Sequence, residues 1–487
     1  MKTRALMLAL VLAATGCRPW PCARRSHADA ATPPPAGPPA AAFTLPPIGE
    51  QVLANGLTLL VAEYHELPIV IFHLLMQGGS ALDPPGKEGV AELTADLIRQ
   101  GTERRNAEEL AREIEFLGGS VGGDAGYDFS SVSGEFLRKD LDQGLDLFSD
   151  VALRPAFRPA EFRRAQGLTL AGIVAARENP SSIADRCFQA YLYGAHPYGH
   201  PSEGTEASVQ RLATADARAF YEHHYDPAGA VLVVIGDAPA AELAEKAARA
   251  FGGWRTRGAP PPPPAAPARV QGRKLLLVDK PDATQAHIRI GNIGLARTDP
   301  AYVPAVVTGT ILGGGFGSRL IDELRVKRSL TYGAWSYFAA RRAPGDFRVG
   351  TFTKVATAGE TLALTLDLLN TFVAAGATPE ELVRAQSLLA GQYPLQLETP
   401  GALAGKLADF TAYGLPRSDI EAHPQRVLAV GLDDVRRVAG RYVAAGDAAI
   451  IVVGPAAAIA PQLAPLGPFE RTTPEACAAA GGPSALR

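Results

Sequence analysis

The sequence predicts an α+β protein built as a tandem duplication, two similar halves that each lay helices on a sheet. Three observations predict it. Asp216 to Gly236 (DARAFYEHHYDPAGAVLVVIG) and Asp434 to Gly454 (DVRRVAGRYVAAGDAAIIVVG) match at a constant offset of 218 residues, each reading as a helix, a turn and a buried strand. A Pro-rich stretch, GAPPPPPAAPA over Gly258 to Ala268, divides the chain into two blocks of ordinary domain size. Both blocks mix apolar runs of strand character with segments of helical periodicity.

Composition narrows the class of function. Of 487 residues, 47% are hydrophobic and 20% charged, which fits a chain with a sizeable core and excludes a disordered one. The 47 Lys+Arg nearly balance 50 Asp+Glu, giving a net charge of −3 and no basic field to hold nucleic acid. A nucleic-acid partner is not expected.

In chain order, residues 1–17 (MKTRALMLALVLAATGC) form a signal: Lys2 and Arg4 supply the positive start and Ala5 to Ala14 a run too short to span a bilayer. Ala14-Thr15-Gly16-Cys17 resembles the bacterial lipobox, in which the cysteine is lipidated and becomes the new N-terminus. The other reading is an ordinary cleaved signal with an incidental cysteine. On either the protein is exported, and on the first it is periplasmic, held to a bacterial membrane through Cys17. Residues 18–47 are a Pro/Ala-rich tether. Residues 48–257 are the first domain, 258–270 the linker, 271–470 the second domain and 471–487 a tail. Leu57 to Ala62, Val70 to Met76 and Lys274 to Val278 read as strands, and Ala107 to Leu117 and Thr378 to Gln392 as helices. Cys22, Cys187 and Cys477 suggest no dense disulfide framework and no CxxC zinc site, so Cys187 is expected simply to be packed.

Gln77 to Asn106 (QGGSALDPPGKEGVAELTADLIRQGTERRN) resembles the pitrilysin/insulinase family of zinc peptidases, in particular its bacterial and mitochondrial-processing-peptidase branch. Gly79-Ser80, Pro85-Gly86-Lys87, Gly89-Val90-Ala91 and Gly101-Thr102 fall in register with that family's segment, and the resemblance runs from about Ile48 to Glu470. It implies two mitochondrial-processing-peptidase-like domains forming a clamshell. It also implies an H-x-x-E-H helix on which two histidines hold zinc and the Glu activates its water. Here those five positions are Glu92, Leu93, Thr94, Ala95 and Asp96, and the family's third ligand, a Glu, falls at Gly172. No acid occurs between Phe162 and Arg177. Glu92 and Asp96 lie one helical turn apart and read as a solvated acidic face, since no third ligand accompanies them. No metal and no catalytic residue are therefore expected in this chain.

Four other histidines read as structural. Pro197 and Gly199 break any helix that would bring His196 and His200 together, and His223 and His224, being adjacent, point about 100° apart on a helix. In the second half, Gly313 to Tyr332 (GGGFGSRLIDELRVKRSLTY) ends in a segment resembling the family's E-L-R-x-x-x-x-L-x-Y signature. The resemblance gives Arg325 and Tyr332 the task of binding the substrate backbone and the carbonyl to be cleaved, and both are donors suited to an oxygen gaining charge. Read from the residues alone, Arg325 is a surface ion-pair partner and Tyr332 a buried aromatic at the start of a strand. Gly313 to Gly317 lacks the Lys-Ser/Thr of a phosphate loop and reads as a mobile cleft lip.

The reading that follows is a zinc-lacking, substrate-binding subunit of a heterodimeric exported metallopeptidase. Its partners would be a zinc-bearing subunit of the same family, a peptide substrate and, through the lipid anchor, a membrane. The alternative is a non-catalytic peptide-binding or assembly protein with no peptidase partner. An independent peptidase of other chemistry finds no G-x-S-x-G elbow and no Cys/His arrangement.

Overall fold

A computed structural model describes residues 44–478. The expected signal with its candidate lipidation residue Cys17, Cys22 and most of the tether lie outside the described residues. The first half forms strands β1 (Ile48–Val52), β2 (Thr58–Glu63), β3 (Ile69–Met76), β4 (Ser120–Ala125), β5 (Ser130–Leu137) and β6 (Val231–Gly236). The second forms β7 (Arg273–Asp279), β8 (Gln285–Ile293), β9 (Ala334–Ala339), β10 (Asp346–Lys354), β11 (Ala448–Gly454) and β12 (Glu470–Thr472). The sheet orders are β1-β2-β6-β3-β5-β4 and β12-β7-β11-β8-β10-β9. Strand for strand the two correspond, and the duplicated α+β clamshell expected from the sequence is present. The one difference lies beside β2 and β7. There the first half uses the strand that precedes it, antiparallel, and the second uses β12 from the end of the chain, parallel.

The strands form where β-branched and aliphatic residues accumulate. β6 and β11, read as buried strands in the 218-residue repeat, are buried at every position and lie parallel to β2 and β7. Their alternation splits each sheet between two cores. Leu232 and Val234 face the core of their own half, whereas Val231, Val233 and Ile235 meet Leu403, Leu407 and Phe410 of the Pro400–Ala412 helix. Reciprocally, Ile450 and Val452 face inward, while Ala449, Ile451 and Val453 meet Ile183, Phe188 and Tyr191 of the Pro180–Tyr193 helix. Each half thus lends a helix to the other's sheet. Both helices start alike: Asn179 and Thr399 cap the first turn with a side-chain oxygen, and a proline follows at the first helical position.

Two expectations are corrected, and the inner ends of the linker and tether are packed onto the fold. Cys187 is not merely packed: it forms a disulfide with Cys477, 290 residues away, with Cα atoms 5.4 Å apart. The fold does not end at residue 470, since β12 and the Pro474–Ala478 helix carry Cys477 back onto the Pro180–Tyr193 helix. The linker's end is docked, with Val270 buried and donating its N–H to Asn292 Oδ1 at 2.9 Å. At the other end Leu45, expected in the tether, already packs against the second half's helix and donates its N–H to Glu421 at 2.7 Å.

A bridge closing so long a loop restricts the unfolded chain and contributes about 2–5 kcal/mol when native. Cys477→Ser is expected to lower the thermal midpoint of the non-reduced protein and to abolish its response to dithiothreitol. Peptide mapping without reduction should recover the two segments joined, and their recovery as separate free thiols refutes the bridge.

Candidate functional site

The family-motif positions fall on a helix, Val90–Leu97, laid across the inner face of the first sheet. Asp83 holds its start, accepting the N–H groups of Gly89 at 2.7 Å and Ala91 at 3.0 Å. Gly89 has φ +96° and packs on Gly204, φ +79°; a Cβ on either would meet the other strand's backbone at 2.5 Å or less. That approach delivers Glu203 to the helix. On the sheet side, a Cβ on Gly123 would lie 2.2 Å from Ala95 O, so β4 needs glycine where the helix crosses it.

Of the five motif positions, Leu93, Thr94 and Ala95 are buried in the core and only Glu92 and Asp96 turn outward. Both are half-buried, Asp96 with 44% of its side chain exposed. Together with Gly172, on the Pro159–Ala176 helix, they line one cavity of about 440 Å³. The sequence register is therefore met in space: two motif positions and the third-ligand position border the same hollow. A Cβ at Gly172 would touch nothing within 4 Å. The cavity's other charges are paired, Arg186 with Glu203 and Arg99 with Asp96 at 3.6 Å, while Arg164 pairs with Glu161 at 3.0 Å. Among the described residues Glu92 has no such partner. Burial and then the charge of Glu203 push its carboxyl up to about 7.

Zinc needs three or four deprotonated donors in tetrahedral array. The motif positions offer two carboxylates, no imidazole and a bare glycine, and among the described residues no three His, Cys, Asp or Glu side chains converge. The donor set does not fit zinc. Three of the four histidines read as structural from the sequence turn to backbone: His196 Nε2 meets Ala265 O at 2.7 Å, His200 Nδ1 meets Pro201 O at 2.9 Å and His223 Nδ1 meets Ala219 O at 2.6 Å. His224 lies against the Phe220 ring, 4.5 Å between centroids.

Arg325 and Tyr332 lie between the Tyr302–Gly313 helix and β9, the second half's counterpart of the stretch between the motif helix and β4. Arg325 belongs to a π-helical turn, Ile321–Lys327, whose Ile321 and Leu324 are buried in the core. It is not the ion-pair partner of Asp322 or Glu323. Those carboxylates go to Lys327, at 2.8 and 2.6 Å, and to Arg328, leaving the Arg325 guanidinium over the Phe316 ring at 5.2 Å. Tyr332 is neither buried nor in a strand: β9 begins two residues later, and the side chain is 78% exposed. Ser329, at φ +52°, turns the chain between them. The glycine run has a packing task. Gly313 closes the Tyr302–Gly313 helix, and a Cβ there would meet Ser336 N of β9 at 2.2 Å; Phe316, 80% exposed, projects beyond it.

Known proteins resemble this chain over most of its length. Residues 60–206 match the family profile described as insulinase (peptidase family M16), and residues 211–389 match the one described as peptidase M16 inactive domain. An uncharacterised zinc protease of Streptomyces coelicolor is 28% identical over 83% of this chain and 88% of its own. The non-peptidase homologue YmxG of Helicobacter pylori is 25% identical over 73% and 82%. The crystal structure of a peptidase M16 inactive domain from Pseudomonas fluorescens superposes with a TM-score of 0.79 at 28% identity, covering 84% of this chain and 98% of that one.

The Glu92 carboxyl titrates higher in the folded chain than its ordinary 4.5. The fold therefore binds the extra proton between these values, and stability falls as pH rises from 4.5 through about 7. Glu92→Gln is expected to be neutral near pH 4 and to stabilise by about 1–3 kcal/mol at pH 8, allowing for partial solvent screening. Denaturant unfolding at the two pH values measures it, and equal effects at both contradict the assignment.

Proposed function

Because the chain belongs to the M16, or insulinase, peptidase family as a member without the zinc motif, we propose that it is the substrate-binding subunit of a heterodimeric, exported zinc metallopeptidase. The observation that carries this reading is the pairing of an emptied motif with an available half-site. Glu92, Ala95, Asp96 and Gly172 stand where the metal ligands and base would be, while Arg325, half-buried over the Phe316 ring, and Tyr332, exposed, have no ion-pair partner among the described residues. A guanidinium and a phenol are suited to a carbonyl oxygen that gains charge on attack. They accelerate cleavage only if another group delivers water to the same carbonyl, and this chain's own motif helix has no residue for that task. A zinc-bearing relative supplies the attacking water; here Arg325 orients the substrate carbonyl and Tyr332 donates to its oxygen. The substrate class is peptides or unfolded protein segments.

Export and anchoring follow from residues 1–17 and Cys17. The disulfide is in keeping with an oxidising compartment. The second reading is a lone peptide-binding or assembly protein, and what favours it is the relative named a non-peptidase homologue.

In a reconstituted pair with a zinc-bearing family partner, Arg325→Ala and Tyr332→Phe are each expected to lower peptide turnover about 10²–10³-fold, with assembly and zinc content unchanged. Parental turnover in both variants favours the lone binding protein. For localisation, Cys17→Ser should move the protein from the membrane to the soluble periplasmic fraction. If the variant sediments with membranes as the parent does, Cys17 is not the anchor.

A further inference from the structure

The loop between β9 and β10 carries Arg341 across the boundary between the halves. Its guanidinium lies 3.8 Å from the ring centroid of Tyr127, 4.7 Å from that of Tyr198 and 5.9 Å from that of Tyr193, three rings of the first half. Contact with ring faces leaves the in-plane N–H donors of a guanidinium unused. Among the described residues Nη1 of Arg341 is buried without a hydrogen-bond partner. A buried, charged donor in that state calls for an acceptor.

Arg341 lines a cavity of about 250 Å³ where three segments meet: the β4–β5 hairpin, the Arg341 loop and Tyr413 at the end of the Pro400–Ala412 helix. Its floor is a row across the first sheet, Leu75 opposite Ser131 and Ser131 opposite Asp124. Phe129 and Tyr413 wall it, edge to face at 5.1 Å. Of the two lining carboxylates, Asp128 is already engaged. It accepts from Tyr198 Oη at 2.5 Å, from Arg342 N at 2.8 Å and from Tyr413 Oη at 3.3 Å. Asp124, exposed at the rim, is not held in this way.

The lining decides the ligand's charge. A bare anion on Arg341 meets Asp124 and Asp128, and a bare cation meets the Arg341 guanidinium. A molecule carrying both charges satisfies both ends. We propose that this cavity binds a small zwitterion with an apolar group, of the class of a free α-amino acid. Its carboxylate is taken by Arg341, its ammonium lies toward Asp124, and its side chain rests against Leu75, Phe129 and Tyr413. The site uses neither Glu92 nor Asp96, and neither Arg325 nor Tyr332. An occupant touches both halves at once, so binding also ties them together.

The test is calorimetric titration of the full folded chain with L-phenylalanine and L-leucine, each compared with its amide and its N-acetyl derivative. Saturable binding of at least one free amino acid is expected at one per chain, with either capped form about tenfold weaker or worse. Arg341→Gln and Asp124→Asn are each expected to weaken it by a similar factor. Asp124 is at the rim, so its variant decides the matter alone if Arg341→Gln fails to fold. Absence of saturable binding, equal binding of the capped forms, or undiminished affinity in Asp124→Asn overturns the proposal.

Discussion

Neither sheet is complete without a helix from the other half. The outer face of β6, Val231, Val233 and Ile235, is as apolar as the inner one, and the second half's Leu403, Leu407 and Phe410 cover it. The first half's Ile183, Phe188 and Tyr191 do the same for β11. Each fully buried aliphatic or aromatic side chain is worth about 1.5–3 kcal/mol in such a contact, so the exchange outweighs any single ion pair between the halves. Either half alone would expose a central strand flanked by further apolar strands, which is a surface prone to association. The duplication is therefore folded as one body, and the Pro-rich linker joins halves that packing already holds.

Polar groups set the register of that packing. Arg289 donates to Asp185 at 2.7 and 3.0 Å, and Arg348 donates to Asp346 at 3.0 Å and to Gln189 at 2.9 Å while lying 4.4 Å from the Phe188 ring centroid. Asp185 and Gln189 belong to the first half's crossing helix and the arginines to the second sheet. Buried pairs of this kind add little net stability, because desolvation cancels much of the attraction, but a slipped helix leaves charges unpaired and is penalised heavily. They fix which turn of the helix meets which strand. The Cys187–Cys477 bridge then fastens the end of the chain to the same helix.

Against this scaffold, the loss of the zinc motif is a local change. The helix that bears Glu92 and Asp96 keeps its capping carboxylate, its glycine contacts and its buried face, all of which serve folding. What differs is the chemistry turned toward the cavity, where a carboxylate without an ion-pair partner replaces the metal-binding set. The second half's Arg325 and Tyr332 are spared from structural pairing by Lys327 and Arg328, which take the neighbouring acids. A member of this family can thus keep its architecture when its motif helix carries other side chains.

Much of this was legible in the sequence. The 218-residue repeat and the Pro-rich break gave two α+β halves, and the strands expected at Leu57, Val70 and Lys274 and the helices at Ala107 and Thr378 lie within a residue of those positions. Hydrophobic period and capping residues are local, so a linear reading recovers them. The motif register was equally clear, and with it the absence of histidines at Glu92 and Asp96. What the sequence did not reveal is pairing at a distance. The bridge from Cys187 to Cys477, the exchange of helices between sheets, β12 closing the sheet beside β7, and the orphaned Arg341 donor all join residues more than 140 positions apart or depend on which face a side chain presents. Periodicity states that a strand such as β6 is buried on both faces; it does not state by what. Only the folded chain decides that, because the covering groups are selected by complementary shape and charge among many equally apolar segments.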